Sequence, residues 1–316
     1  MQLPESLQNA IERECSAFSH DALRKASQML TSHYHEERAS SVPFFQNAAA
    51  RTAYLAVRMP ATYAAIHRVL LESKQRMNAV PGSFLDLGAG PGTGSWAAAE
   101  IFPELDSITL IEQSRPMAEI GQKFCKEGGS LLQSATWLCQ PLQDAIPAAD
   151  LALLSYVIAE LQPALAESLL EKLWERVNTI VIIEPGTPEG YQRILKIRDW
   201  ALKRGAHLIA PCPHREACPL QAPDWCHFPA RIERTRLHKF LKGASLGYED
   251  EKFSYLAFGK NPLQAPLGRI VGHVKKGSGF VQFPLCTQGK LEKMTISRKQ
   301  ETYRLARNSE WGDSWK

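Results

Sequence analysis

Hydrophobic positions in the first eighty residues recur with the period of a helix. Between residues 51 and 76 the apolar face comprises Tyr54, Val57, Ala61, Ala64 or Ala65, and Val69. This spacing predicts a helical region over residues 1–80. Pro60 lies within the face and predicts a kink or a break, because proline lacks the N–H that a helix interior needs. The turn-forming residues of 78–83 end the pattern.

Short apolar runs alternate with helical segments from residue 83 onward. The predicted strands are 83–87, 107–112, 135–139, 149–156 and 179–184, and the predicted helices are 94–102, 115–128, 163–177 and 191–205. Strands that are apolar along their whole length are typical of a parallel sheet covered on both faces. We therefore predict a doubly wound α/β domain of Rossmann-like type over residues 81–259, with a further strand at 249–260.

The alternation of apolar and polar residues changes to a period of two near the end of the chain. Segments 268–274, 279–286 and 290–297 alternate in this way and are separated by turn residues. We predict a small β-rich extension over residues 260–316.

Composition and targeting signals limit the class of protein. Hydrophobic residues make up 44% and charged residues 22% of the chain, as in ordinary globular proteins. No apolar run approaches the roughly 20 residues of a membrane helix. The first residues lack the apolar core of a signal peptide and carry Glu5, Glu12 and Glu14, unlike a transit peptide. We expect a cytoplasmic monomer that does not associate with membranes.

Charge is distributed unevenly along the chain. Residues 81–205 hold 10 basic and 16 acidic side chains, whereas residues 260–316 hold 11 basic and 4 acidic ones. The basic extension is either a solvated face or a surface that contacts phosphates.

A glycine-rich loop follows the first predicted strand, in the sequence Phe-Leu-Asp-Leu-Gly-Ala-Gly-Pro-Gly-Thr-Gly-Ser-Trp. Asp86 precedes Gly88, Gly90 and Gly92, and a helix follows. Glycines allow the backbone to turn tightly and to approach a ligand, which then meets the N–H groups of the helix start. The spacing D-x-G-x-G-x-G differs from the G-x-G-x-x-G pattern of dinucleotide-binding proteins.

This loop resembles motif I of the class I S-adenosylmethionine-dependent methyltransferases. The resemblance implies that Asp86 and the glycines surround the methionine part of the cofactor. It also implies that Glu112, at the end of the second strand, binds the ribose hydroxyls. By the same analogy Gln143 and Asp144 approach the adenine, and Ser155, at the end of the fourth strand, adjoins the cofactor. A glycine turn without a ligand is the structural alternative.

The residues that would activate a methyl acceptor are not recognisable. The sequence after the fourth strand, Ser-Tyr-Val-Ile, is neither the [D/N]-P-P-[Y/F] motif of amino-group methyltransferases nor a cysteine nucleophile. Tyr156 and Glu160 are candidates for a catalytic role, and Tyr156 is as well explained as a packing residue. The catalytic residues are therefore unknown at this point.

Cysteines cluster in an insert at 210–230. Cys212, Cys218 and Cys226 lack the close pairs of most structural zinc sites, and a fourth ligand is available from His214, His227 or Cys286. Four cysteines suit an iron–sulfur cluster, and zinc suits either four cysteines or three with a histidine, so spacing leaves both open. In a reducing compartment a metal is favoured over a disulfide. The other cysteines, Cys15, Cys125 and Cys139, are expected to be buried.

Several segments together resemble a known family, that of protein twenty-two of the mitochondrial small ribosomal subunit. They include "APCPHREACPL", "DWCHFPARIERTRLHK", "LCTQGK" and "ARNSEWGD", and the resemblance begins near residue 50. The family is methyltransferase-like and has bacterial members. It implies S-adenosylmethionine binding, a [4Fe–4S] cluster held by Cys212, Cys218, Cys226 and Cys286, and association with the rRNA of the small ribosomal subunit during assembly.

Three functions follow as expectations. The first is an S-adenosylmethionine-binding, iron–sulfur assembly factor that holds rRNA with its basic extension. The second is an active rRNA methyltransferase with a structural metal. The third is a small-molecule methyltransferase with a zinc-containing insert. In the first, His214 and His227 support the metal site without binding the metal.

Overall fold

The computed structural model describes residues 1–35 and 47–315, so the expectation of helix over 36–46 lies outside the described residues. Four helices come first among the described residues: α1 (Glu5–Cys15), α2 (His20–His35), α3 (Ala48–Val57) and α4 (Met59–Arg76). The predicted break is confirmed at Arg58, and Pro60 lies in the first turn of α4. Proline is tolerated there because the first N–H groups of a helix have no partner within it.

Strands and helices alternate in the central part of the chain. They are β1 (Ser83–Leu87), α5 (Thr93–Ile101), β2 (Ser107–Ile111), α6 (Arg115–Cys125), α7 (Ser130–Gln133), β3 (Thr136–Leu138), β4 (Ala149–Ser155), α8 (Pro163–Arg176), β5 (Val177–Pro185) and α9 (Pro188–Lys203). The five strands are parallel in the order β3-β2-β1-β4-β5. The predicted doubly wound α/β fold is thereby confirmed.

The sheet continues beyond β5 with β6 (His207–Ala210), β7 (Phe228–Glu233) and β8 (Tyr248–Gly259), and α10 (Arg236–Lys242) joins β7 to β8. β8 is antiparallel to β5 on one side and to β6 and β7 on the other. Our sequence prediction missed β6, β7 and α10. β6 is only four residues long and β7 contains Pro229, so the local sequence of each gives only a weak signal for a strand. Both form by pairing with a strand that comes later in the chain.

Alternate residues of each central strand face opposite sides of the sheet. Phe84 and Leu151 belong to one apolar core, which α4 and α5 cover. Leu85 and Ala152 belong to the other, which α8 and α9 cover. Burial on both faces explains why these strands are apolar at nearly every position. Within the two described ranges, every helix is too short or too polar to cross a membrane.

A second, smaller sheet follows. It comprises β9 (Gly268–Ile270), β10 (Lys275–Lys276), β11 (Phe280–Cys286), β12 (Leu291–Ser297) and β13 (Ser314–Trp315), and α11 (Tyr303–Asn308) packs against it. We predicted a strand through residue 274 and a turn at the two lysines. Instead β9 ends at Ile270, and Lys275 and Lys276 pair with β11, so the turn lies beyond them. The boundaries that we predicted between the helical region, the α/β domain and the extension, at 80/81 and 259/260, stay predictions.

Candidate functional site

The glycine turn joins β1 to α5 at the carboxyl edge of the sheet. Gly88, Gly90 and Gly92 have φ values of 65°, 55° and 82°, in the left-handed region that only glycine adopts readily. At Gly88 an added Cβ would lie 2.6 Å from Cγ2 of Val157. Backbone conformation and lack of space therefore both require glycine at this position.

Asp86 lies at the end of β1 and is 2% exposed. Its Oδ2 accepts a hydrogen bond from Ser95 Oγ at 3.0 Å, which fixes α5 against the strand. Burial raises the pKa of Asp86 to about 7, because a charged carboxylate is poorly solvated there.

Glu112 follows β2 and holds the glycine turn in place. Its Oε2 accepts from the backbone N–H of Gly90 at 2.8 Å, and its Oε1 accepts from that of Ser114 at 2.6 Å. Burial raises the pKa of Glu112, although these backbone donors act in the opposite direction. Each carboxylate oxygen has a second lone pair, so Glu112 can still accept from ligand hydroxyls.

The structure brings the other predicted cofactor residues to the same edge, because the carboxyl ends of parallel strands meet there. Ser155 ends β4, and its buried Oγ has no hydrogen-bond partner among the described residues. Thr93, at the start of α5, also has a buried hydroxyl with no partner in the described part of the chain. Our sequence prediction missed Thr93, whose signal is its position directly after the third glycine.

Gln143 and Asp144 lie exposed in the turn that follows β3. The carbonyl oxygen of Gln143 accepts a hydrogen bond from Lys172 Nζ on α8 at 2.5 Å. Their expected contact with adenine stays a prediction.

Tyr156 is the first residue beyond β4 and has a φ of 61°, which is rare for a residue with a side chain. Its hydroxyl donates to Oε1 of Glu251 at 3.1 Å, and Arg58 donates to both carboxylate oxygens of Glu251. Burial raises the pKa of Tyr156 well above its ordinary value. Tyr156 therefore remains a protonated donor and is a poor general base. Glu160 is exposed at the end of a 3-10 turn.

The four predicted metal-binding cysteines line one cavity of about 40 Å³. Cys212 and Cys218 come from the segment after β6, Cys226 lies just before β7, and Cys286 ends β11. The second sheet thus supplies one wall of a cavity whose other walls belong to the α/β part. The sequence separation of Cys286 from the other three is bridged by the fold.

Polar contacts surround these thiols. Tyr191 Oη donates to Cys218 Sγ at 3.2 Å, and His214 Nε2 lies 3.4 Å from Cys286 Sγ. Burial raises the pKa of Cys212 and Cys226, and raises that of Cys286 to about 12. These buried thiols stay protonated at neutral pH unless a cation stabilises the thiolate.

The other predictions for cysteine and histidine have mixed outcomes. All seven cysteines are free, and Cys15 and Cys125 are buried as expected. The expectation for Cys139 was wrong: this residue follows the short edge strand β3 and is exposed. His227 does not line the cavity and instead packs between the rings of Trp225 and Trp311, at centroid distances of 5.1 and 4.9 Å.

The cavity fits a group bound by thiolates in its chemistry, though its thiols are not arranged around a common centre. Within residues 1–35 and 47–315, no three His, Cys, Asp or Glu side chains form a group that could hold a metal ion as they stand. The donor set consists of four thiols, which suit iron–sulfur clusters and zinc. Three polar atoms at the cavity residues are buried without a partner among the described residues: Arg198 Nε, His214 Nδ1 and Arg269 Nη2.

Comparison with protein families gives one match over most of the chain. The sequence model of the family described as "Mitochondrial small ribosomal subunit Rsm22" matches residues 48–316. The human protein "Ribosome assembly protein METTL17, mitochondrial" is 27% identical over 82% of this chain and 61% of its own length. The Schizosaccharomyces pombe "Rsm22-cox11 tandem protein 2, mitochondrial" is 24% identical over 83% of this chain and 42% of its own length. The chain thus spans about half the length of these curated relatives.

Solved methyltransferase structures are distantly similar. Magnesium protoporphyrin IX methyltransferase from Synechocystis, with bound S-adenosylmethionine, shows a TM-score of 0.43 and 13% identity over 64% of this chain and 80% of its own. The plantazolicin methyltransferase BpumL shows a TM-score of 0.46 and 12% identity over 81% of this chain and 99% of its own.

Proposed function

The chain belongs to the family of the mitochondrial small ribosomal subunit protein Rsm22. On this premise we propose that it is an S-adenosylmethionine-binding, methyltransferase-like protein that acts with the small ribosomal subunit during assembly. The cofactor part of the proposal rests on one observation, the left-handed glycine turn that Glu112 fixes at the carboxyl edge of the sheet. The ribosomal part is supported by the names of the relatives, which call the human protein a ribosome assembly protein.

Each residue at the carboxyl edge would have a distinct role toward the cofactor. Gly88, Gly90 and Gly92 let the backbone N–H groups near the start of α5 approach the methionine part. Glu112 would accept hydrogen bonds from the ribose hydroxyls. The buried hydroxyl of Ser155 would acquire the partner that it lacks. Bound S-adenosylmethionine supplies an electrophilic methyl group. Tyr156 donates its hydroxyl proton to Glu251 and is not a base that could activate a methyl acceptor, which favours a binding role over catalysis.

We further propose that Cys212, Cys218, Cys226 and Cys286 hold a [4Fe–4S] cluster, with zinc as the alternative. The proposal is supported by the family resemblance of the cysteine segments and by the shared cavity. Ligation requires the four thiols to turn toward a common centre. Because Cys286 belongs to the second sheet, ligation would also fasten that sheet to the α/β part.

The basic second sheet would supply the contacts to rRNA. Eight of its cationic side chains are exposed: Lys275, Lys276, Lys290, Lys293, Arg298, Lys299, Arg304 and Arg307. Among the residues that the structure describes, none of these eight forms an ion pair. They are therefore available to phosphates. His273, two residues before Lys275, is exposed and packs edge to face against Trp311 at 4.8 Å, so its ring would be available to a base.

The proposal is tested by anaerobic purification from cells, followed by analysis of bound RNA, iron, labile sulfide, zinc and modified nucleosides. We expect a brown protein whose absorption bleaches in air, with small-subunit rRNA attached and S-adenosylmethionine binding in calorimetry. A colourless protein with one zinc ion would contradict the cluster. Undetectable S-adenosylmethionine binding would contradict the cofactor role, and transfer of a labelled methyl group to rRNA would establish the active methyltransferase instead.

We also propose a cytoplasmic location and a monomeric state. The curated relatives are mitochondrial by name. Cell fractionation and light scattering test the two statements separately.

A further inference from the structure

Two arginines are buried at the cysteine cavity. The side chain of Arg198, on α9, is 3% exposed, and that of Arg269, on β9, is 1% exposed. Both line the same cavity as the four cysteines. Buried arginines are uncommon, because removing a charge from water is costly unless an anion compensates it.

The hydrogen bonds of both arginines hold the segments that carry the cysteines. Arg198 Nη2 donates to the carbonyl oxygens of His214 and Glu216, at 3.1 and 2.6 Å. Arg269 Nε donates to the carbonyl oxygen of Pro211, next to Cys212, at 2.8 Å. Each guanidinium keeps one buried nitrogen, Arg198 Nε and Arg269 Nη2, with no partner in the described part of the chain.

The charges around the arginines do not balance. Glu72 Oε1 lies 2.6 Å from Arg269 Nη1, and the Glu72 side chain is 15% exposed. Among the described residues it is the one largely buried acidic partner of either arginine. Asp199 lies 3.6 Å from Arg198, but its side chain is 59% exposed and solvent screens it. Arg269 thus has one largely buried anionic partner, and Arg198 has only a solvent-exposed one. Negative charge is therefore lacking at the cavity that the four cysteines line.

We infer that Arg198 and Arg269 are positioning residues that provide the positive charge needed by four thiolates around a bound metal centre. Four thiolates around a dipositive ion or cluster carry a net charge of roughly −2. The two arginines together with Glu72 leave a net charge of about +1, which offsets about half of it. The unpartnered nitrogens would then face anionic sulfur. The inference rests on the proposed metal site, and it assigns a role to two residues that bind no metal themselves.

Cobalt(II) is the probe that tests this inference in the full-length, anaerobically reduced protein. Its charge-transfer absorption with thiolates reports binding directly, without any enzymatic activity. We expect Arg198→Gln and Arg269→Gln to weaken cobalt binding about 10- to 100-fold, the range measured for outer-shell partners of metal ligands. Arg198→Lys, which retains the charge, should restore most of the affinity. Arg215→Gln is the control, because Arg215 lies in the cysteine segment and carries the same charge but is exposed and donates to the carbonyl oxygen of Ala206, outside the cavity.

A second readout is the midpoint potential of the cluster reconstituted into each variant. Loss of a nearby positive charge disfavours the reduced, more negative cluster, so both glutamine variants should have a more negative potential than Arg215→Gln. Arg269→Gln loses several hydrogen bonds; if it does not fold, Arg198→Gln decides. Unchanged cobalt affinity in a folded Arg198→Gln would overturn the inference. A wild-type protein that binds neither cobalt nor a cluster would instead overturn the proposed metal site.

Discussion

The substitution Gly88→Ala tests whether the glycine turn is as constrained as the structure indicates. The methyl group would meet two separate obstacles. Alanine at position 88 must adopt a φ of 65°, and its Cβ would lie 2.6 Å from Cγ2 of Val157. The left-handed conformation costs about 1–2 kcal/mol in a residue with a side chain. Overpacking of a buried position costs typically a further ~1–3 kcal/mol.

We therefore expect Gly88→Ala to lower the free energy of unfolding by about 2–5 kcal/mol. Gly205→Ala is the matched control, because Gly205 has a φ of 79° and no atom within 4 Å of an added Cβ. The control should lose only the conformational part, about 1–2 kcal/mol. Denaturant-induced unfolding of the metal-free protein, followed by circular dichroism, measures both.

The contact with Val157 can be isolated by a double-mutant cycle. Val157→Ala removes the clashing methyl groups, so the double variant with Gly88→Ala should be more stable than the sum of the two single effects predicts. If Gly88→Ala costs no more than Gly205→Ala, or if the cycle shows no coupling, the close approach described for this turn is wrong. S-adenosylmethionine affinity should fall in Gly88→Ala and stay unchanged in Gly205→Ala.

Three further predictions concern pH, metal content and salt. The pKa of Asp86 rises on folding from 3.8 to about 7, so the folded state binds this proton more tightly than the unfolded state does. The free energy of unfolding should therefore fall as the pH rises from about 4 to about 7. In the ligand-free protein, Asp86→Asn should reduce this fall, measured as the denaturant midpoint at each pH. Cys286→Ala should abolish most of the bound iron in elemental analysis, whereas Cys139→Ala, at an exposed position, should retain it. RNA affinity should fall steeply with salt, and joint replacement of Lys275 and Lys276 by glutamine should reduce the slope of log affinity against log salt by about 1.4.

Each of these predictions has a contradicting result. Wild-type and Asp86→Asn midpoints that run parallel from pH 4 to 7 would show that burial does not perturb this carboxyl group. Full iron content in Cys286→Ala would exclude a ligand from the second sheet. For RNA, Lys126→Gln in the acidic part of the chain is the control, and a double lysine variant indistinguishable from it would argue against phosphate contacts.

The parallel part of the fold was predictable because its signals are local. A strand such as β1 is apolar along its length, and the glycine turn follows it directly, so neighbouring residues carry the information. The candidate cofactor-binding residues at the carboxyl edge of the sheet could also be predicted, because Asp86 and Glu112 each lie at the end of a strand that the sequence pattern identifies.

The remainder depends on contacts between distant parts of the chain. β6 and β7 are strands because β8 pairs with both. The four residues of β6 and the six of β7 carry no local signal for a partner that comes later in the chain. The burial of Arg198 and Arg269 was also inaccessible, because each follows from packing between segments far apart in sequence. Thr93 was missed for a different reason. Its position directly after the third glycine is a weak signal, because threonine at a helix start is common, and the lack of a hydroxyl partner among the described residues is visible only in the structure.

The position of β8 has a consequence for the order in which the molecule assembles. β6 and β7 have β8 as their partner in the first sheet, although both precede it in the chain. During synthesis from the N-terminus, the parallel strands can pair while β6 and β7 still wait for residues 248–259. The segment between β6 and β7, with three of the four cysteines, gains fixed ends only when β8 inserts. Cys286 emerges later still, so metal loading would complete folding rather than initiate it.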